Sequence, residues 1–364
     1  MKQSHINNTI AIVFFMAMAI VSCRHDTSSW HPVNERLSFK ELKGERVFEN
    51  MEFIFPQRLA TIGDKLLIQD SNMPDGKMFV ALDIENAKSP VYVGSQGVGP
   101  GEFLNPRVID YSTYDSCLYI YDAMLHKGRL FKVSPDSFNI STSNMVREFS
   151  FPSVSVSDNH RISSGFVTQV VGDGMMFTLV DTLGKIVTRF GTYPGDNAGI
   201  NTSPLKFSIG HQTLTTANNE KGRFVSAGVT SDWLAFYSIN DFSPELIREY
   251  FTFETPVDVT ETQSGDNYTV SARDNNSTRT CFTQLLPTPD YVFAVYAGST
   301  EQEREDGTAH KVVVMKFDWD GTLIKGYVIP DRSGAKAISQ DGKYLYAVVP
   351  TDDDNMIIKR YFLP

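Results

Sequence analysis

The sequence predicts an all-β fold: a six-bladed β-propeller with four-stranded antiparallel blades. Three observations carry that expectation. Short runs rich in Val, Ile, Phe and Tyr recur with period two, at 65–69, 117–121, 176–180, 291–295 and 344–348. Between them fall turn dipeptides, among them Asp75-Gly76, Asp173-Gly174, Asp306-Gly307, Asp320-Gly321 and Asp341-Gly342. The order of these elements also repeats at a spacing of roughly 50 residues through the first three units, as four-stranded blades require. No window sustains the i, i+3, i+4, i+7 apolar pattern of an amphipathic helix.

Each repeat reads as an inner strand, a hydrophobic strand ending near Asp, a turn, an outer strand and a Pro or Gly crossover. On this pattern the blades begin near Pro56, Pro106, Gly165, Ile209, Thr280 and Ala335. The last unit holds three strands, at about 335–339, 344–349 and 356–362, and a strand within 37–55 is left over. Pairing the two closes the last blade with an N-terminal strand and removes exposed sheet edges. A seventh blade stays open if the text between blades 4 and 5 hides a weak unit. Two stretches there, 261–277 and 298–310, are polar and read as surface loops.

The domain organisation follows from the N-terminus. Lys2 is followed by an unbroken apolar run of twelve residues, 10–21, ending at Ser22-Cys23. That run is shorter than the ~20 residues a membrane-spanning helix needs. A positive start, a short apolar core and a Cys at this distance resemble a bacterial lipobox. Residues 1–22 are read as a lipoprotein signal peptide, 23–36 as a polar tether and 37–364 as the propeller domain. Cys23 would carry a diacylglycerol anchor, whose two acyl chains hold a protein durably at a membrane where one would be marginal. The residue after it is Arg24, so the Asp that retains lipoproteins in the inner membrane of enteric bacteria is absent. An outer-membrane lipoprotein of the cell envelope is expected, on its periplasmic or its surface face.

The formal net charge is −10. Removal of the segment before Cys23, whose one charge is Lys2, makes the chain more negative still. Such a surface repels phosphate backbones, which argues against a nucleic-acid partner. Cys117 and Cys281 fall in blades 2 and 5 of this assignment. Bridged cysteines need Cα atoms within about 7 Å, so two separate buried thiols are expected, and the chain is expected to be monomeric.

The stretch from Gly94 to Val133 is the most regular text in the chain. Gly94, Gly97, Gly99, Gly101, Phe103, Pro106, Asp110, Asp122 and Arg129 match the NHL-type propeller repeat, with His126 near its polar turn position. This run opens a Pro-initiated strand and not a helix with Lys-Ser/Thr, so it is not a nucleotide loop. A lipobox followed by six degenerate blades, one carrying Gly-Pro-Gly-Glu-Phe, resembles the TolB-like six-bladed propeller lipoproteins of Bacteroidetes. The resemblance implies a cell-envelope binding or accessory protein and brings no catalytic residue with it.

The sequence contains no Ser-His-Asp order, no His-Glu-x-x-His and no Cys-x-x-Cys. No catalytic residue, no cofactor beyond the lipid and no metal ligand is assigned. Asp352-Asp353-Asp354 lacks the alternating spacing of a calcium loop. His160, His211 and Asp110 would have to converge for the alternative reading, a metal-dependent hydrolase or lyase at the channel mouth. Three cations fall where inner strands begin: Arg58 after Pro56, Arg107 after Pro106, and Lys336 after Ala335. Adjacent blades place them at one channel mouth, where they are expected to bind an anionic group on a glycan or a protein partner. The competing expectation is that Asp110 or Asp331 neutralises them.

Overall fold

A computed structural model describes residues 39–48, 53–70, 73–85, 90–134, 138–151, 156–170, 174–193, 204–251, 258–264, 267–273, 276–309, 311–353 and 355–364. The signal, the tether and Cys23 lie outside the described residues. Six β-sheets form the blades of a propeller. Blade 1 runs from Pro56–Ile62 outward to Val91–Gln96, with Glu102–Phe103 added in parallel beyond it. Blade 2 runs from Pro106–Ser112 to Met145–Ser150, blade 3 from Val156–Ile162 to Ile186–Phe190, and blade 4 from Thr213–Asn218 to Ser243–Tyr250. Blade 5 runs from Arg279–Pro287 to Leu323–Ile329, and blade 6 from Lys336–Ile338 to Met356–Phe362. The N-terminal segment serves two blades. Lys40–Glu41 runs parallel beside the outer strand of blade 5. Gly44–Val47 pairs antiparallel with Met356–Phe362, where Arg360 binds Glu45 at 2.5 Å.

The second strands are buried on both faces, because each blade is covered by a neighbour on either side. Cys117–Asp122 is buried at every position, and its hydrophobic text is continuous where a half-exposed strand would alternate. The core is accordingly divided into layers between blades. Phe79, Phe103, Leu118, Ile120 and Phe131 fill the space between blades 1 and 2. Phe149, Phe151 and Phe166 stack between blades 2 and 3, with ring centroids 4.7–4.9 Å from Phe166. Phe177, Phe224 and Tyr237 do the same between blades 3 and 4.

The crossover into blade 2 shows what its glycines are for. Gly97 has φ +154°, and a Cβ there would collide with the Glu102 carboxylate, which accepts a hydrogen bond from the Gly99 amide at 2.8 Å. Arg129 is fully buried beneath this loop. Its guanidinium donates to the Glu102 carbonyl, binds Glu148 at 2.8 Å and lies 5.2 Å from the Phe103 ring centroid. Asp122, also fully buried, accepts from the amides of Leu104, Asn105, Met124 and Leu125 at 2.6–3.0 Å. The Asp that ends the strand is a clamp on two turns.

The structure corrects the sequence reading in four places. Blade 3 begins at Val156, not Gly165, which starts its second strand. The inner strand carries Asp158, Asn159 and His160, and this polar content hid it. Ile209 lies in a short helix, Pro204–Gly210, and the inner strand of blade 4 starts at Thr213. The stretch read as a loop after Glu261 belongs to a hairpin pairing Asp258–Ser264 with Asn267–Arg273. The second insertion contains a single helical turn, Glu301–Glu305, capped by Thr300, whose hydroxyl accepts from the Glu303 amide at 3.1 Å. Cys117 and Cys281 are free, buried and in blades 2 and 5.

Candidate ligand site in the central channel

The inner strands surround a cavity of about 390 Å³ on the propeller axis. Every blade contributes to it: Arg58, Arg107, His160, Thr215, Gln284 and Lys336 line it from blades 1 to 6 in turn. Its size falls within the about 300–1,000 Å³ of small-molecule sites.

Irregular pairing interrupts the inner strands of four blades. Blade 1 has a bulge between Pro56 and Arg58, blade 2 between Pro106 and Val108, and blade 3 between Val156 and Asn159. A bulge inserts a residue without a partner and re-aims its side chain. Arg107 is the inserted residue of blade 2, and Asp158 lies within the bulge of blade 3. In blade 5 the register shifts between Phe282 and Gln284.

Arg58 and Arg107 come close enough to repel. Burial holds the Arg58 guanidinium below its ordinary range, Arg107 adds to that, and Asp158 works the other way. Among the described residues neither guanidinium has a hydrogen-bond or ion-pair partner. Asp110 and Asp331, the carboxylates that could have neutralised the cations, are engaged elsewhere. Asp110 binds His160 at 2.8 Å, and Asp331 binds Lys359 and the Tyr361 hydroxyl, each at 2.7 Å. Lys336 lines the same cavity but is 2% exposed, and its ammonium donates to the carbonyls of Ser333 and Gly334 at 3.2 and 2.7 Å. Burial lowers its pKa to about 8. Arg58 and Arg107 thus share the nearby charge of Asp158 without a hydrogen bond to it, while Lys336 is held by the backbone.

The wall formed by blades 2 to 4 is a chain of polar groups. His160 Nδ1 lies 2.8 Å from Asp110 Oδ2, and Nε2 lies 3.1 Å from Thr215 Oγ1, which in turn donates to Asp158 Oδ2 at 3.3 Å. Burial of His160 favours the neutral ring, but Asp110 and then Asp158 outweigh it and raise the pKa. Burial raises the pKa of Asp158, against the pull of His160, Arg107 and Arg58. Asp110 at Nδ1 fixes the orientation of the ring, and the Thr215 hydroxyl lies between Nε2 and the Asp158 carboxylate, within hydrogen-bond distance of both. His211 does not join it. Its ring packs edge-on against Tyr193, and among the described residues no group of three His, Cys, Asp or Glu is placed to hold a metal.

Sequence reasoning located Arg58 and Arg107 through the Pro that starts each inner strand. Asp158 and Thr215 were missed. Blade 3 has no Pro at Val156, and the polar alternation Asp158–His160 is the one local signal that marked a channel-facing strand.

Fold and site together define a six-bladed propeller with a polar, ligand-sized channel. The chain belongs to the TolB-like 6-blade propeller-like family, whose pattern matches residues 35–335. The structure is similar to that of a Bacteroides fragilis protein described as exported, with a TM-score of 0.52 at 13% identity, covering 90% of this chain and 99% of that one. A member of the DUF4221 family from Bacteroides vulgatus gives a TM-score of 0.48 at 10% identity, covering 89% and 97% of the two chains. No curated protein sequence matches this chain.

Proposed function

We propose that this protein is a lipid-anchored propeller of the bacterial cell envelope that captures a carboxylate-bearing partner at its channel mouth, as a binding or accessory protein and not as a catalyst. One observation carries the reading: Arg58 and Arg107 lie close enough to repel in a channel cavity, with the charge of Asp158 nearby but no hydrogen bond or ion pair to either guanidinium among the described residues. Bringing two like charges together is unfavourable unless an anion relieves them. Planar guanidinium pairs are suited to bidentate carboxylate recognition. Cys23 supplies the anchor, and the exported description of the Bacteroides fragilis protein of similar fold fits that location.

The test is quantitative capture from native envelopes by the wild-type protein and by the Arg58→Glu, Arg107→Glu double variant. Loss of the captured material by the variant, at an unchanged melting temperature, is expected. Equal capture by both would overturn the reading. Cys23→Ala should release the protein from the membrane fraction.

A further inference from the structure

The channel holds unsatisfied groups besides its arginines, and they describe the rest of the ligand. The Gln284 side-chain oxygen and the Thr216 hydroxyl are buried and have no hydrogen-bond partner among the described residues, and both residues line the cavity. Thr216 is only 2% exposed. Asn219, further along the same inner wall, has a buried side-chain oxygen in the same state. Buried polar groups in folded proteins are nearly always paired, and each exception costs about 1–3 kcal/mol. In a ring of six, blades 4 and 5 lie across the axis from blades 1 and 2. The cavity therefore has a cationic side and a neutral hydrogen-bonding side.

Building on the reading of the channel mouth as a carboxylate site, we infer that its ligand is a sugar acid, a hexuronate residue of a glycan, bound with its carboxylate on Arg58 and Arg107 and its hydroxyls toward Thr216 and Gln284. Two arguments favour it over the acidic loop of a protein. Two of the three unsatisfied groups are amide oxygens, which only accept; a sugar ring carries several hydroxyl donors beside its one carboxylate, whereas an acidic side chain brings none and a peptide loop can offer only its backbone N–H groups. The second argument is charge. A chain of net charge −10 repels a polyanionic peptide over its whole surface. Asp110 and Asp158 line the same cavity and would meet every additional carboxylate. A single carboxylate on a neutral ring satisfies the arginines and brings one charge only.

Calorimetric titration of the full chain with galacturonate, galactose, acetate and a glutamate-rich peptide tests the inference. Galacturonate should bind at least about tenfold more tightly than acetate or galactose, the gain expected from one or two extra hydrogen bonds. Gln284→Ala should weaken galacturonate and leave acetate unchanged, and Arg107→Glu should weaken both. Arg107 is exposed, so that variant does not depend on core repacking. Acetate binding as tightly as galacturonate, or the peptide binding more tightly than either, would overturn the sugar-acid assignment while the anion site stands. Absence of binding by every anion would remove both.

Discussion

Blades 2 and 3 are neighbours in chain and in space, yet they contribute different things. Blade 2 is the most legible part of the sequence, and its signature residues are structural. Arg129, Asp122 and Gly97 tie a crossover to a sheet edge through contacts that begin and end within about one blade length. Blade 3 has no recognisable signature, and its inner strand supplies Asp158 and His160 to the channel. The same blade 2 carries Arg107, two strands from Arg129 and opposite to it in role. One arginine is enclosed and hydrogen-bonded, while the other is exposed and, among the described residues, feels Asp158 and Arg58 only through space. A residue that builds a blade is surrounded by its own repeat. A residue that builds the site is completed by other blades.

The comparison can be broken most sharply at Arg129. Arg129→Ala leaves Glu148 with Lys127 alone, removes the support of the Glu102 carbonyl and empties a fully buried site. Denaturant unfolding should show a loss of roughly 3–4 kcal/mol. A loss below about 1 kcal/mol would mean that the repeat signature does not hold the crossover. Asp122→Ala orphans four backbone amides, and a loss of roughly 2–3 kcal/mol is expected from the same measurement.

The wall of blade 3 should instead reveal itself through pH. The folded-state pKa of His160 is raised, so its imidazolium stabilises the fold fully below the ordinary value near 6.5, and that contribution disappears as pH rises through the folded value. Melting temperatures of the wild type and His160→Gln should therefore differ most in mild acid and converge toward alkaline pH. A constant difference would contradict the bonding assigned to Asp110 and Thr215. The smallest effect belongs to the exposed arginine: Arg107→Ala should change stability by no more than about 0.5 kcal/mol, in contrast to Arg129→Ala in the same blade. A large loss would show that Arg107 has a structural partner after all.

Much of the architecture was legible because propeller blades are assembled from near neighbours in sequence. Period-two hydrophobic runs, Asp-Gly turns and a Gly-rich crossover report φ preferences and burial residue by residue. Legibility failed where polar residues interrupt the rhythm. Blade 3 was read as starting near Gly165 because Asp158, Asn159 and His160 interrupt the apolar text of its inner strand. The helix at Pro204–Gly210 and the hairpin at Asp258–Ser264 are insertions outside the repeat, so the repeat could not foretell them.

The propeller, the separation of Cys117 from Cys281, and the inner strands opened by Pro56 and Pro106, with Arg58 and Arg107 just after them, were readable from the sequence. These depend on local conformational preference and on the repeat period. Which cations are held by direct bonds follows from the tertiary structure instead. It seated Lys336 on two carbonyls, engaged Asp110 with His160 and Asp331 with Lys359, and left Arg58 beside Arg107. Pairing of charges is a matter of a few ångströms between blades far apart in the chain, and spacing along the sequence does not encode such distances.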